Sequence, residues 1–106
     1  MSVKEWLSRH SVLQAKYYRL YGDPDSEATV EILRKEMDAI ETAIDSIDDP
    51  KYSEVLRLRY LEGNTGRLMP WKDVAFAMYH NDAEADLQRV HRLHSKAIQM
   101  VTLPNS

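Results

Sequence analysis

The stretch 71-WKDVAFAMYHNDAEADLQRVHRLHSKAIQMV-101 decides the fold that the sequence predicts. Between Trp71 and Tyr79, apolar side chains recur at steps of three and four, which places them on one side of an α-helix. From Leu87 to Val101 the same spacing returns, and arginine and lysine occupy several of the positions between the apolar residues. We therefore predict two helices that pack on each other, the second with an exposed basic face.

Two capping signals divide the rest of the chain. Asp23-Pro24 and Asp49-Pro50 each place an aspartate, which can accept backbone N–H bonds, before a proline, which is tolerated at the first helical position. Together with the apolar spacing, these signals predict five helices and an all-α fold. The predicted helices cover residues 3–21, 24–47, 51–62 and 70–79, followed by a fifth that ends near 101, and a loop covers 63–69.

The second predicted helix has an apolar seam whose members alternate steps of three and four, as in a coiled coil. They are Val30, Leu33, Met37, Ile40, Ile44 and Ile47. The short connection before this helix favours an intramolecular antiparallel helical hairpin over residues 1–49. A second interpretation leaves part of the seam for another subunit and makes the protein a homodimer. Residues 50–106 form a three-helix unit, and we expect the two parts to make one compact unit.

Composition limits the class of protein. At 106 residues the chain fits one domain, and 3 glycines and 4 prolines are few enough to favour long helices. The absence of cysteine excludes disulfides and cysteine-bound metal. No apolar run approaches the roughly 18 residues of a membrane span, and residues 1–6 lack the features of a signal peptide. We expect a soluble protein of the cytoplasm.

Charge is unevenly distributed along the chain. The formal net charge is −3, from 14 lysines and arginines against 17 aspartates and glutamates, whereas proteins that bind nucleic acid usually have a basic excess. Acidic residues are concentrated in residues 23–54, while 57–72 and 89–96 are locally basic. In a nucleic-acid-binding protein, the acidic part would face away from the ligand.

Three strings resemble the promoter-reading region 4 of sigma-70-type factors: 52-YSEVLRLRYL-61, 71-WKDVA-75 and 90-VHRLHSKA-97. The chain is more closely similar to small phage and prophage regulators of the RinA- and ArpU-like type, whose N-terminal helical segment often opens with a phrase such as 4-KEWL-7. The resemblance implies a sigma-region-4-like helix-turn-helix over residues 50–106. It also implies a DNA-binding transcriptional regulator that acts in a bacterial host cell and performs no catalysis.

The chain departs from the family pattern before the last helix. In that pattern a small polar residue caps the helix four residues before the valine. In this chain Asp86 stands four residues before Val90. If Asp86 is the cap, the connection between Tyr79 and the last helix is longer than in the family pattern. Either the turn is expanded and Asp86 caps the helix, or the helix begins at Asn81 or Asp82 and includes additional acidic turns. The second alternative places carboxylates at the tip of the helix, where they repel the phosphates of DNA.

Candidate DNA-contacting residues follow from the resemblance and from the basic face. We expect Gln88, Arg89 and Arg92 to contact bases or phosphates, because glutamine pairs with adenine and arginine with guanine. Lys72 and Lys96 are expected to contact the backbone and to set the register. The expected partner is double-stranded DNA, with RNA polymerase as a further candidate, and paired half-sites favour a homodimer. The competing interpretation is a solvated basic face that binds nothing.

Histidines and carboxylates do not predict an enzyme or a metal site. His80, His91 and His94 lack a recognised ligand spacing and a cysteine partner, so we expect no metal or cofactor and place His94 at the edge of the core. The sequence contains no Gly-rich phosphate loop and no nucleophile motif, and its carboxylates have no convergent pattern. An enzyme is therefore not expected.

Two features favour another class of function. Tyr17, Tyr18 and Tyr21 cluster beside Lys16 and Arg19, which suits either a protein-contact patch or the flank of the hairpin. The negative net charge and the acidic stretch 81–86 fit a helical protein-interaction adaptor. Such an adaptor would hold RNA polymerase, a packaging subunit or a host regulator.

Overall fold

The computed structural model describes residues 1–64 and 66–104, and this part of the chain is all-α, as predicted. Its helices are α1 (Val3–Leu20), α2 (Glu27–Asp45), α3 (Pro50–Tyr60), α4 (Trp71–Tyr79) and α5 (Glu84–Gln99). The principal extents of 49 × 29 × 21 Å make the molecule clearly longer than it is wide. Among the described residues, no helix combines the length and the apolar character needed to cross a membrane.

The connection between α1 and α2 differs from the predicted helix start at residue 24. Asp23 accepts bonds from the Asp25 N–H at 3.1 Å and from the Ser26 hydroxyl at 2.9 Å, and it caps a single 3-10 turn over Pro24–Ser26. An aspartate that bonds two residues ahead forms a tight turn, so the continuous helix begins only at Glu27. The helix also ends earlier than predicted, at Asp45.

The first two helices form an antiparallel hairpin. Arg9 of α1 bonds Glu36 of α2 at 3.1 Å, and further along α1 the Tyr17 ring lies 5.7 Å from the guanidinium of Arg34. The seam predicted on α2 packs within this chain, which agrees with the intramolecular interpretation, and the homodimer remains a prediction. Its buried members are Leu33, Ile40 and Ile44, and its half-buried members are Val30, Met37 and Ile47.

The third helix begins at its predicted cap and ends earlier than predicted. The Asp49 side chain accepts from the Lys51 N–H at 3.1 Å, and the helix ends at Tyr60 rather than at residue 62. Arg59 then fixes the end of the following loop. Its Nη1 donates to the Met69 carbonyl at 2.7 Å, and its own carbonyl accepts from the Met69 N–H at 3.1 Å. These two bonds place the start of α4 beside the end of α3.

The connection between α4 and α5 corrects one prediction. His80 ends α4 in the left-handed conformation, with φ at 57°, and the Asn81 side chain accepts from the Ala83 N–H at 3.2 Å. α5 begins at Glu84, so of the two alternatives left open by the sequence, the one in which Asp86 caps the helix is wrong. The acidic residues lie inside the first turn because carboxylates stabilise the positive end of the helix dipole. The observed start of α5 is therefore close to the start at Asn81 or Asp82 that the second alternative gives.

One contiguous cluster of buried side chains connects the hairpin to the helices that follow it. Leu7, Ile44, Leu56 and Val90, from four different helices, have no exposed surface. On α4, the predicted core residues divide into two classes: Val74 and Ala75 are buried, whereas Trp71 and Met78 are half-buried. Because Val90 and its neighbours at helical spacing face this core, the arginines and the lysine of α5 face solvent.

Candidate nucleic-acid interface

A groove of about 540 Å³ lies between α3, α4 and α5. Arg89, Arg92 and Lys96 line it from α5, and Lys51 lines it from the first turn of α3. The three α5 residues are spaced by three and four positions, so they share one side of the helix. Val90 lies between them in sequence but points into the core, which fixes the rotation of this basic side.

Aromatic rings support two of these cations. The guanidinium carbon of Arg89 lies 4.0 Å from the ring centroid of Tyr79, and the Lys51 ammonium lies 5.0 Å from that of Tyr52. Cation–π contacts contribute about 0.5–1 kcal/mol at exposed sites, which is enough to favour one side-chain direction. Arg89 Nη1 also lies 3.5 Å from Asp86 Oδ1. Arg89 is therefore positioned from both sides.

The groove is basic within a chain of negative net charge. Among the described residues that line it, four carry a positive charge and one, Glu54, carries a negative charge. Met78 of α4 and Leu93 of α5 contribute apolar surface to the same groove. A phosphate that enters the groove can approach several cations at once.

The predicted contact residues do not all lie together. Arg89, Arg92 and Lys96 share the groove, whereas Gln88 is exposed on a neighbouring side of α5 and its amide donates to Glu84 at 3.5 Å. Lys72 is exposed in the first turn of α4, outside the groove. Because α5 begins at Glu84, Gln88 and Arg89 lie in its second turn. With Asp86 as the cap, they would have been in its first turn.

Lys51 is a groove residue that the sequence did not single out. It belongs to the acidic stretch 23–54, where an isolated lysine has no local feature that indicates a ligand. Its position in the same groove as Lys96 results from the packing of α3 against α5. The one available signal was the Asp49-Pro50 cap, which places the following lysine in the first turn of a helix.

The first turn of α5 is acidic. Glu84 is exposed, while the Asp86 side chain is 16% exposed and is directed towards Arg89. Asp82 is exposed just before the helix. The tip of α5 therefore presents negative charge, and its cations begin one turn later. A phosphate backbone would be repelled by the tip and attracted by the middle of the helix.

A buried polar cluster lies on the side of α5 that faces the core. The Tyr60 hydroxyl and His94 Nε2 are 2.6 Å apart, and the His94 ring centroid lies 4.8 Å from that of Trp71. Burial lowers the pKa of His94 to about 4 and raises the pKa of Tyr60 above its usual range. At neutral pH the tyrosine therefore donates its hydroxyl hydrogen to an uncharged imidazole. The expected place of His94 beside the core is confirmed.

Trp71 connects this cluster to the loop before α4. The Arg59 guanidinium carbon lies 4.2 Å from the indole centroid, and burial lowers the pKa of Arg59. On the α5 side, the His91 ring centroid lies 4.7 Å from Trp71. Among the described residues, no group of three histidine, aspartate or glutamate side chains comes together as a metal site.

Comparisons with known proteins give no assignment for this arrangement. No protein-family model matches the chain, and neither a curated protein nor a solved structure is significantly similar to it.

Proposed function

We propose that the protein is a DNA-binding transcriptional regulator of phage or prophage type, in which α4, residues 80–83 and α5 act as a helix-turn-helix. In such a motif the second helix lies in the major groove of DNA and the first helix braces it against the backbone. The resemblance to sigma-region-4-like regulators supports this assignment. The short connection between a nine-residue and a sixteen-residue helix fits the motif.

The single observation that supports the proposal most is the shared basic side of α5. Arg89, Arg92 and Lys96 face one groove together with Lys51, opposed there by Glu54. In our proposal Arg92 and Gln88 reach base edges, while Lys51, Lys96 and Arg89 contact phosphates. Tyr79 and Asp86 hold Arg89 in place before DNA arrives, which reduces the entropy lost on binding.

The acidic first turn changes how α5 would approach DNA. Glu84 and Asp82 disfavour insertion of the tip, so the middle of the helix, from Gln88 to Lys96, makes the contacts. Lys72 contacts the backbone from the first turn of α4. A homodimer that reads two half-sites would raise the specificity of so short a contact surface.

The test compares DNA binding of the Arg89→Ala/Arg92→Ala variant with that of the unchanged protein. Duplexes selected from a random pool supply the probe, and fluorescence anisotropy at several salt concentrations gives affinity and salt dependence. Loss of two phosphate or base contacts should weaken binding strongly, and the slope of log K against log salt should fall by up to about 2. Circular dichroism should remain helical because both side chains are exposed.

The matched control is Lys16→Ala/Arg19→Ala, which removes two exposed cations from α1. It changes the net charge equally but leaves the groove intact, so its affinity should stay within about twofold. Equal losses in both double variants would indicate nonspecific attraction. Undiminished binding after loss of Arg89 and Arg92 would remove α5 as the DNA-contacting helix.

The acidic tip of α5 favours a second candidate function, a protein-interaction adaptor. Asp82 and Glu84 are exposed at the position where a DNA-reading helix makes its first contacts. An adaptor would fail to select any duplex and would show no salt-sensitive retention on heparin. RNA polymerase, a packaging subunit or a host regulator would then be its partner. Enrichment of one duplex sequence would exclude this candidate as the sole function.

A further inference from the structure

A second concave site lies in the hairpin. A cleft of about 620 Å³ opens between α1, α2 and the end of α3, which is within the range of about 300–1,000 Å³ typical of ligand pockets. On the α1 side it is lined by Tyr17 and Tyr18, by His10 and Gln14 of the same helix, and by Tyr21 just beyond its end. The proposed DNA contact uses none of these residues. Tyr18 is 58% exposed and Tyr21 is 68% exposed. Two large aromatic side chains therefore remain available to a partner.

The three tyrosine rings form a connected wall. The Tyr17 centroid lies 5.7 Å from that of Tyr18 in an edge-on arrangement and 5.5 Å from that of Tyr21. The guanidinium of Arg34 already lies 5.7 Å from the Tyr17 centroid. The chain thus places one of its own cations against this wall, and the other two rings offer the same electron-rich faces to a second cation.

Carboxylates lie on the other sides of the cleft. Asp38 and Glu41 line it from α2, and Glu62 lines it from just beyond α3. Within residues 1–64 and 66–104, Asp38 and Glu62 form no ion pair, whereas Glu41 bonds a histidine. The lining thus has three carboxylates against two arginines, Arg34 and Arg57, so its net charge favours a cation over a phosphate.

Two of the remaining polar groups of the cleft are already partnered inside the chain. Arg57 is paired with Asp45, so its charge is compensated inside the chain. The buried His10 approaches Glu41 through Nε2 at 2.8 Å, and in the described residues its Nδ1 has no partner. Because Nδ1 is itself buried, it is out of reach of a ligand in the cleft, and Glu41 is already engaged by His10. Asp38 and Glu62 are therefore the carboxylates available to a cation.

We propose that this cleft binds a lysine or arginine side chain from a basic segment of a partner protein. The cation would lie against Tyr18 and Tyr21, with Asp38 and Glu62 as its counter-charges. The inference does not depend on DNA binding by α5, because it uses none of the groove residues. It assigns the acidic hairpin a partner of opposite charge.

Labelled peptides of alternating glycine and arginine, glycine and lysine, or glycine and glutamate provide the probes. Fluorescence anisotropy with the full chain should detect binding of the two basic peptides and no binding of the acidic one. Tyr18→Ala/Tyr21→Ala should weaken binding roughly tenfold, through loss of two cation–π contacts. Asp38→Asn/Glu62→Gln should weaken it roughly fivefold, as expected for exposed charge pairs.

Two control variants match these changes in residue type and lie outside the cleft. Phe76→Ala removes an aromatic ring that is 58% exposed on α4, and Glu27→Gln/Glu31→Gln removes two exposed carboxylates from α2. Both should change the affinity less than about twofold. Thermal melts of all four variants verify that the fold is retained.

Three results would overturn the proposal: no binding of either basic peptide, equal losses in cleft and control variants, or unchanged affinity after both tyrosines are replaced. Binding of N-acetyl-arginine amide tests the remaining possibility, that the cleft takes a small organic cation rather than a protein segment. If it binds as tightly as the arginine peptide, the ligand is a small organic cation and the assignment to a protein segment is wrong.

Discussion

The hairpin and the three helices that follow it are held together by different groups. Between α1 and α2, aliphatic side chains such as Leu13 and Ile40 fill the interface, and the Arg9–Glu36 ion pair lies exposed at its edge. Around α3, α4 and α5, a buried hydrogen bond between Tyr60 and His94 lies beside the Trp71 ring. The hairpin also buries an imidazole, that of His10, but its Nε2 lies 2.8 Å from a carboxylate of Glu41, whereas His94 bonds a neutral hydroxyl. A buried imidazole without a carboxylate partner becomes unfavourable when it is protonated.

The two regions also differ in electrostatics. The hairpin cleft is lined by three carboxylates, two arginines and exposed tyrosines, while the groove beside α5 is lined by four cations and one carboxylate. The formal net charge of −3 averages these surfaces and describes neither. Local charge on a defined face, rather than the total, indicates which kind of partner each region can bind.

The largest expected change in the free energy of unfolding comes from truncating the shared core, and it tests whether the two regions fold as one unit. Leu56 of α3 is completely buried, so Leu56→Ala should lower the free energy of unfolding by about 4 kcal/mol. Leu33, in the hairpin, retains 8% exposure, and Leu33→Ala should cost about 2 kcal/mol. Urea unfolding should show a single transition because one core connects the regions.

Intrinsic fluorescence can report each region separately. Trp6 belongs to the hairpin and Trp71 to α4, so Trp6→Phe and Trp71→Phe each leave one reporter. Coincident midpoints in the two variants, corrected for their own stability, support a shared core. Separate midpoints would show that the hairpin and the three-helix part unfold independently.

The second prediction uses the contrast in pH sensitivity. The pKa of His94 is lowered to about 4 by burial first, and then by the charges of Lys4, Arg59 and His91. Between about pH 6.5 and 4 the unfolded chain therefore binds a proton that the folded chain does not. Stability should fall as pH falls through this range, by about 3 kcal/mol in total. Urea unfolding at a series of pH values measures it.

The control for that prediction removes both partners of the buried bond. Tyr60→Phe/His94→Leu leaves neither a titrating imidazole nor an orphaned hydroxyl, so its stability at neutral pH should change little. In this variant, the loss of stability between pH 6.5 and 4 that we attribute to His94 should be absent. A fall of the same size in this variant would assign the pH dependence to groups elsewhere, including the carboxylates of the hairpin.

A smaller effect is expected at the turn between α4 and α5. His80 has a φ of 57°, a conformation that costs an L-residue with a Cβ roughly 1–2 kcal/mol. His80→Gly should raise stability by about 0.5 kcal/mol, after the added entropy of the unfolded chain is subtracted. Chemical denaturation measures this gain. Glycine already occupies the left-handed turn after α1, so Gly22→Ala should destabilise and provides the opposite control.

The smallest effect concerns the ion pair at the edge of the hairpin. Arg9 and Glu36 side chains are 48% and 42% exposed, so their coupling free energy should be about 0.5 kcal/mol and should decrease with salt. A double-mutant cycle with Arg9→Ala and Glu36→Ala measures it. A coupling above about 2 kcal/mol would mean that the hairpin depends on charge as much as on its aliphatic seam.

Much of the fold could be predicted because its signals are local. The apolar spacing from Trp71 to Met78 and the Asp49-Pro50 cap define helix position through hydrogen bonds and stacking within a few residues. The start of α5 was less predictable. Whether Asp86 caps the helix or lies within its first turn depends on small differences between alternative caps, and the sequence left both open.

The sequence by itself determined the all-α class, the approximate extent of the first four helices and the basic side of α5, since these depend on spacing and on contacts between near neighbours. Only the tertiary structure brought Lys51 into the same groove as Lys96, buried His94 against Tyr60, and assembled the three tyrosines with the carboxylates of α2 into one cleft. Each of these sites joins residues distant in the chain. Their proximity is set by how the helices pack, and helical periodicity contains no information about which outer faces meet.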